Sequence, residues 1–353
     1  MNRVSDIDRD KVWQFLERFT DLAAGAATIG VLAVADRAGL LAAMAGADWV
    51  TPAQLAAGRF APRYIEEILS ALTTAGVVEH DPAGGKFRLP TEHAAVLADP
   101  SSPYLMAGWL DMLPGVMEKI DAVAEATVTG RGVSLSSYDD RVVAGVDRAN
   151  SPAMRILLTR RWLPAMPDVV SRLDQGIRVA DVGCGSGAAS LTMARAYPAS
   201  TVVGFDTDPR AIERALIQAE ASGLDNVSFE VLTGEDIPGG FDLITTFDVI
   251  HDLADPEAVL VHLNGALNPG GTYLMMEPNV GATLAENVHP RGTLLYGISV
   301  LYCLPQSLVS GGPGLGTAWG PARAEELCRR AGFTHFRRLE IDNPFSAFYE
   351  IRR

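Results

Sequence analysis

The sequence has little positive charge and few cysteines. In its 353 residues, 29 Lys and Arg side chains stand against 43 Asp and Glu side chains, which gives a formal net charge of −14. Because nucleic acids and anionic membranes bind positive protein surfaces, this balance argues against both as partners. The three cysteines are odd in number and scattered along the chain, so we expect a reducing compartment and no disulfide framework.

Long apolar runs are also missing. No stretch of about 18 uninterrupted apolar residues occurs, so we expect no membrane span. The first residues carry mixed charges rather than a basic segment and an apolar run, so we expect no signal peptide and a cytoplasmic location. Hydrophobic residues make up 48% and charged residues 20% of the chain, which is typical of a globular protein, and the length favours two domains.

The first hundred residues predict a winged-helix domain. Apolar, alanine-rich stretches predict helices over 12–19 and 23–44, and the second is apolar around much of its circumference, as in a subunit interface. Thr51 followed by proline is typical of a helix start, and a further helix is predicted over 62–75. Two short strands around the turn at 81–85 complete a pattern of helix, turn, helix and wing.

A winged helix is compatible with two functions. A DNA-binding domain would present Arg, Lys or Gln from its recognition helix. Here that helix offers Arg63 but also Glu66 and Glu67, and the basic residues of the wing are balanced by nearby acids. We therefore predict a dimerisation domain over 1–100, and DNA binding stays the alternative.

Residues 101–150 are predicted to form a helical linker and pocket-covering region. The part from 101 to 129 carries Met and aromatic side chains at helical spacing, which fit either a core or the wall of an apolar substrate pocket. The part from 130 to 150 has few periodic features and is predicted to be a loop. The remaining residues, 151–353, are predicted to form an α/β domain.

The run from Val179 to Gly187 is the most informative part of this α/β domain. An apolar strand there leads into Gly183, Gly185 and Gly187, and then into a predicted helix. Glycines at such a turn let the backbone approach a ligand and aim the helix N–H groups at it. The spacing up to Ala188 also fits a dinucleotide-binding pattern. The run therefore predicts a nucleotide-like cofactor without deciding which one.

Acids at the ends of later strands narrow the choice of cofactor. Asp206 ends the second predicted strand, where an acid can bind the two hydroxyls of a ribose, and Asp236 follows the third. The chain closes with what looks like an antiparallel pair of strands. The predicted strands after the glycine run cover 201–206, 226–231, 241–247, 271–277, 333–341 and 345–351.

This order of motifs resembles the class I S-adenosylmethionine-dependent methyltransferases. With its N-terminal domain, the chain resembles the small-molecule O-methyltransferases that carry a winged-helix dimerisation domain, and its glycine-rich stretch 307–316 is similar to an actinobacterial-type subgroup. The resemblance implies an α/β, Rossmann-like seven-stranded domain, S-adenosylmethionine as cofactor, a small-molecule acceptor and a homodimer. The cofactor-binding residues that it implies are Asp181, Gly183, Cys184, Gly185, Gly187, Asp206, Asp236, Phe247 and Asp248.

His251 is the candidate general base. Methyl transfer to a hydroxyl benefits from a group that takes the acceptor's proton, and histidine has a suitable pKa. The resemblance implies that the pair His251–Asp252 supplies this base, although Leu253 replaces the aromatic residue of plant-type enzymes. Glu277, which ends the fifth strand, is predicted to orient the imidazole or to balance its charge.

The motifs leave the acceptor atom open and indicate no metal. Methylation of a nitrogen or carbon acceptor could proceed by proximity alone, so the motifs are compatible with N- or C-methylation as well as with O-methylation. No Cys, His or carboxylate cluster has the spacing of metal ligands in the sequence, so we expect no metal.

Overall fold

The computed structural model of the chain describes residues 7–353, which fall into two compact units. The first unit comprises the chain up to Gly115 together with Arg141–Ala149, and the second comprises Val116–Asp140 together with Asn150–Arg353. The predicted linker, 101–150, is thus shared between the units. Part of the charged chain start, on which the expectation of no signal peptide rests, lies outside the described residues.

Helices and strands are numbered here in chain order. The helices are α1 (Arg9–Arg37), α2 (Leu40–Met44), α3 (Pro52–Ala56), α4 (Pro62–Thr74), α5 (Thr91–Leu97), α6 (Trp109–Met117), α7 (Ile120–Thr129), α8 (Asp140–Leu157), α9 (Pro167–Gln175), α10 (Ala188–Ala196), α11 (Pro209–Ser222), α12 (Pro256–Ala266), α13 (Pro290–Ile298), α14 (Leu304–Val309) and α15 (Gly320–Arg330). The strands are β1 (Glu79–Asp81), β2 (Lys86–Arg88), β3 (Arg178–Val182), β4 (Thr201–Asp206), β5 (Val227–Val231), β6 (Phe241–Phe247), β7 (Leu267–Pro278), β8 (His335–Arg338) and β9 (Ser346–Arg352).

One long helix opens the first unit. α1 runs unbroken to Arg37, so the predicted interruption between residues 19 and 23 is wrong. The intervening Thr-Asp-Leu contains neither proline nor glycine, so nothing there breaks a helix. The predicted continuation to Met44 is also wrong, because Gly39 has a φ of 76° and separates α1 from α2.

α3, α4 and the β1–β2 hairpin form the predicted winged helix, which is confirmed. α3 begins with a capping box in which Thr51 and Gln54 exchange hydrogen bonds. α4 buries Ile65, Leu69 and Leu72, whose spacing lines one face of the helix. β1 and β2 pair in antiparallel fashion to make the wing.

Helix α8 replaces the second half of the loop that was predicted over 130–150. Val142 is fully buried, and Gly145 allows a close backbone approach, because a Cβ there would lie 2.8 Å from the carbonyl oxygen of Gly108. Arg148 forms ion pairs with two aspartates of the same unit. The prediction was wrong because tertiary packing outweighs the poor helix propensity of the Gly, Asn and Pro in this stretch.

The second unit is built on a seven-stranded sheet with the order β5-β4-β3-β6-β7-β9-β8. Strands β3 to β7 pair in parallel, and β9 runs antiparallel to both β7 and β8. The predicted Rossmann-like seven-stranded architecture is therefore confirmed, including its closing antiparallel pair. Because the parallel strands end at the same edge of the sheet, the residues that follow them gather there.

Apolar layers cover both faces of this sheet. One layer includes the fully buried rings of Phe205, Phe241 and Tyr273, and the other includes Trp162 packed on Phe348 with ring centroids 4.8 Å apart. Burying each such side chain contributes roughly 1.5–3 kcal/mol. The two layers hold the strand ends, and hence the residues beyond them, in fixed positions.

Two stretches, α1 and Pro290–Val309, are long and apolar enough to cross a membrane by length and composition alone. Of the most apolar 18-residue window, 17% is buried in α1 and 44% in the second stretch. Core helices of soluble proteins meet the same criterion, so this is weak evidence for a membrane span. On α1, large apolar side chains such as Trp13, Phe15 and Phe19 are exposed.

Candidate active site

The glycine loop joins β3 to α10 at the carboxyl edge of the sheet. Gly183, Gly185 and Gly187 have left-handed φ values of 72°, 54° and 84°, which other residues rarely adopt. A Cβ at Gly183 would lie 2.4 Å from Val249, and one at Gly187 would lie 2.6 Å from the ring of Phe229. Apart from Gly185 itself and its two neighbours in the chain, no atom of the described residues lies within 4 Å of a Cβ built at Gly185. Two glycines therefore serve packing, whereas Gly185 borders open space.

Asp206, at the end of β4, is anchored to this loop. Its carboxylate accepts the backbone N–H of Gly185 at 2.8 Å and the backbone N–H of Asp208 at 2.9 Å. The side chain is only partly buried. Since a carboxylate offers about four acceptor positions, Asp206 retains capacity for a ligand hydroxyl beside the open face of Gly185.

Asp181, at the end of β3, is fully enclosed by protein. It is 1% exposed, and it accepts the hydroxyl of Ser190 at 2.6 Å and the hydroxyl of Thr245 at 2.9 Å. Burial raises the pKa of Asp181 to about 6, although the two hydroxyl donors counteract this shift. The carboxylate thus ties β3 to α10 and β6 beneath the loop, and its contact with a cofactor stays a prediction.

Cys184 and Asp236 differ in their exposure. Cys184 is buried, and a Cβ at Gly204 would lie 2.9 Å from its Sγ, so the thiol fills the space beside that glycine. Burial raises the pKa of this thiol. Asp236 is exposed and accepts the hydroxyl of Thr233 at 2.6 Å. Asp236 is therefore accessible to a ligand, whereas the Cys184 side chain packs inside the unit.

Phe247 and Asp248 lie at the end of β6, next to the glycine loop. Phe247 is buried against Trp162, with ring centroids 6.4 Å apart. Asp248 has a left-handed φ of 57°, a conformation that aspartate adopts more readily than most residues. Burial raises the pKa of Asp248 to about 7, although the nearby His251 counteracts this shift.

His251 and Glu277 form a buried pair just beyond β6 and at the end of β7. The imidazole is 3% exposed and Glu277 is 1% exposed. His251 Nδ1 lies 2.6 Å from Glu277 Oε2, and Oε1 accepts the backbone N–H of Ile250 at 2.9 Å. β6 and β7 are parallel neighbours, so side chains that follow their ends can meet. The structure thus brings together the two residues that were predicted as catalytic.

A second carboxylate lies on the other side of the imidazole. His251 Nε2 is 3.4 Å from Oδ1 of Asp252. Burial lowers the pKa of His251, but Asp252 and Glu277 together raise it well above its ordinary value. Burial also raises the pKa of Asp252, and this shift is opposed by His251. His251 is therefore an imidazole that holds a proton tightly.

Cys303 and Trp319 also reach this pair, and neither was expected from the sequence. Donor atoms of His251, Asp252 and Cys303 all lie within 4.8 Å of one another. Burial raises the pKa of the Cys303 thiol to about 12. Trp319 Nε1 donates to Glu277 Oε2 at 3.1 Å. The expectation of no metal-ligand cluster rested on sequence spacing and missed this group, which the fold assembles from distant segments.

Comparisons with known proteins match two segments of the chain to domain families. Residues 173–309 match a methyltransferase domain family, and residues 26–99 match the Rv2258c-like winged helix-turn-helix domain. A ubiquinone biosynthesis O-methyltransferase of Cereibacter sphaeroides is 40% identical over 132 residues, which is 34% of this chain and 52% of that protein. The chain therefore matches about half the length of this curated relative.

Solved structures resemble the chain over nearly its whole length. The mitomycin 7-O-methyltransferase MmcR is 19% identical with a TM-score of 0.71, and the match covers 98% of this chain and 100% of that one. Human N-acetylserotonin methyltransferase in complex with S-adenosylmethionine is 21% identical with a TM-score of 0.67, covering 100% and 99%. At these identities the likeness establishes the fold. The chain thus carries a methyltransferase domain behind an N-terminal winged helix-turn-helix domain, in the fold of the class I S-adenosylmethionine-dependent methyltransferases.

Proposed function

We propose that the chain transfers a methyl group from S-adenosylmethionine to a hydroxyl of a small apolar or aromatic acceptor, with His251 as the general base. The observation that carries this proposal is the 2.6 Å contact between His251 Nδ1 and Glu277 Oε2 at the carboxyl edge of the sheet, where the glycine loop also lies. The relatives support a hydroxyl acceptor, because their names include ubiquinone biosynthesis O-methyltransferase and mitomycin 7-O-methyltransferase.

The residues at this edge fit the proposed cofactor. The open face of Gly185 allows close backbone contact, and the partly exposed Asp206 can accept ribose hydroxyls. Asp236 is exposed, and its carboxylate can accept a hydrogen bond from the amino group of adenine. When bound, S-adenosylmethionine supplies a methyl group on a positively charged sulfur. The accessible acidic side chains at the same edge, Asp206 and Asp236, favour a cationic ligand.

His251 would take the acceptor's proton through Nε2. In the form that carries a single ring proton, Nδ1–H donates to Glu277, and this contact keeps the Nε2 lone pair for the acceptor's proton. As the imidazole becomes positively charged, the adjacent carboxylate stabilises it in a buried setting where charge interactions are strong. The raised pKa of His251 has the same cause and makes it a stronger proton acceptor.

We propose that the winged-helix domain serves dimerisation rather than nucleic-acid binding. Two basic side chains of its recognition helix and wing are paired with acids, since Arg63 pairs with Glu67 and Arg88 pairs with Glu79. The exposed apolar side chains of α1 would be buried by contact with a second copy of the chain, which is more favourable than leaving them in water. Replacing Phe19 by Glu should then yield a monomer in sedimentation experiments, and a wild-type chain of monomeric mass would contradict the dimer.

The base assignment is tested by His251→Ala. General base catalysis contributes roughly 10²–10⁴-fold, so formation of S-adenosylhomocysteine with a panel of small phenols should fall by that factor. Affinity for S-adenosylmethionine, measured by calorimetry, should stay near that of the wild type. His335→Ala removes an exposed histidine of β8 and serves as the matched control. Retained turnover, or preferential methylation of amines in the panel, would favour methylation at nitrogen or carbon by proximity.

A further inference from the structure

We propose that His251, Asp252 and Cys303 form a binding site for a single Zn²⁺ ion, and that the bound ion switches off methyl transfer. One donor atom from each residue lies within 4.8 Å of the other two. The binding half of this proposal stands on these residues alone. The inhibitory half rests on the proposed role of His251 as the base.

The three donors suit zinc. Zn²⁺ binds imidazole nitrogen, carboxylate oxygen and thiolate sulfur at about 2.0–2.3 Å, whereas Mg²⁺ and Ca²⁺ prefer oxygen alone. A tetrahedral arrangement with such bonds sets neighbouring donors roughly 3.5 Å apart. The separation of His251 Nε2 and Asp252 Oδ1 is already 3.4 Å. Closing the site therefore requires a small movement of the Cys303 side chain towards them.

The surroundings of His251 are also those of a metal ligand. Metal-binding histidines almost always donate their second ring N–H to a carboxylate or carbonyl, which fixes the ring and raises its basicity. Glu277 accepts this N–H at 2.6 Å and is itself held by the backbone N–H of Ile250 and the indole N–H of Trp319. Nε2 then faces Asp252 and Cys303.

A separate observation points to a missing partner at the same place. Oδ1 of Asp252 is buried without a well-formed hydrogen bond in the described part of the chain, and its neighbours are His251 Nε2 at 3.4 Å and the Cys303 thiol. Buried polar atoms normally have a partner, so an orphaned carboxylate oxygen beside a nitrogen and a sulfur donor is unusual. Glu277 adds a second carboxylate beside the same imidazole. A divalent cation would satisfy the orphaned oxygen and balance this charge.

Binding and inhibition follow from the same coordination. Zn²⁺ replaces the thiol proton of Cys303 and the proton that a charged His251 carries on Nε2. Both protons are released to the buffer, and no oxidation or reduction takes place. Three protein ligands leave the fourth position for a water molecule. Because the Nε2 lone pair of His251 is then used by the metal, it cannot accept the proton of a hydroxyl. The bound ion thus removes the proposed base without changing the glycine loop.

Metal binding is measured on the full-length, tag-free chain after treatment with a chelator. We expect one Zn²⁺ per chain by calorimetry and elemental analysis, and a thiolate-to-cobalt charge-transfer band when Co²⁺ is titrated instead. Cys303→Ser and Asp252→Asn should each weaken Zn²⁺ binding at least tenfold. Cys328→Ser removes a buried thiol of α15 and is the matched control, with affinity unchanged.

The outcomes separate the two halves of the proposal. The site would be overturned if the wild-type chain bound no stoichiometric Zn²⁺ or showed no charge-transfer band with Co²⁺. These two measurements use the wild-type chain, so they hold even if Cys303→Ser proved unstable. Equal Zn²⁺ binding by Cys303→Ser would also overturn the site. Inhibition by Zn²⁺ that a chelator reverses, and that Cys303→Ser resists, would support both halves. Stoichiometric binding without inhibition would keep the site and overturn the inhibitory role together with His251 as the base.

Discussion

Replacing Glu277 by Gln is a sharp test of the proposed catalytic pair, because it removes a charge and almost no volume. Glu277 accepts three N–H donors, from His251, Ile250 and Trp319. An imidazolium and a carboxylate about 4 Å apart attract each other by about 4 kcal/mol at an effective dielectric constant near 20. Gln retains one acceptor oxygen, so we expect a loss of about 2–4 kcal/mol in transition-state stabilisation, or roughly 30- to 1,000-fold in kcat.

The assay is formation of S-adenosylhomocysteine at saturating cofactor and acceptor, alongside calorimetric affinity for S-adenosylmethionine. The affinity should change little, because Glu277 contacts His251 rather than the glycine loop. Glu350→Gln is the matched control, since Glu350 is also a buried glutamate of the sheet but pairs with Arg337 and Arg352. A folded Glu277→Gln variant whose kcat stays within threefold of the wild type would refute electrostatic stabilisation of His251.

Three further predictions follow from the same contacts. Burial raises the pKa of Asp181 to about 6, so the folded chain binds this proton more tightly than the unfolded chain and stability falls as pH rises from about 4 to 6. About two pKa units correspond to about 3 kcal/mol. The free energy of unfolding in urea should therefore differ between the wild type and Asp181→Asn by an amount that changes by about 3 kcal/mol between about pH 4 and pH 6. A difference that stays constant over this pH range would contradict the prediction. Gly187→Ala should lower the unfolding free energy by about 1–3 kcal/mol more than Gly185→Ala, which should mainly weaken cofactor binding, and equal effects on stability would contradict the packing argument. Trp319→Phe removes one donor to Glu277 and should lower kcat up to about tenfold with KM unchanged, so an unaltered kcat would argue against this contact.

The sheet was predictable because its strands are short apolar runs that end in recognisable residues. Glycines after β3 and the acid that ends β4 mark strand ends, and a parallel sheet brings its strand ends to one edge. His251 and Glu277 could be placed together for this reason, since each follows or ends one of two neighbouring strands. The side-chain contacts of Asp181 could not be read from its position, because they depend on hydroxyls of another strand and a helix.

Cys303 and Trp319 could not be placed from the sequence for a related reason. Cys303 ends a π-helical segment, Ser299–Cys303, and Trp319 directly precedes α15, so neither follows a strand of the sheet. Their approach to His251 and Glu277 depends on how these segments pack over the strand ends. α8 was missed because its stability comes from buried contacts such as those of Val142, which outweigh weak local propensity.

The proposed chemistry depends on the register in which β6 pairs with β7. Phe247 is paired with Met276, so Glu277 comes one residue past the last aligned position of β6. Since side chains alternate between the faces of a sheet, a slip of one residue along β7 would turn Glu277 to the opposite face, away from His251. Such a chain could retain its strands and its helix content and still be inactive. Turnover would therefore report assembly errors of a single residue that spectroscopic measures of secondary structure do not detect.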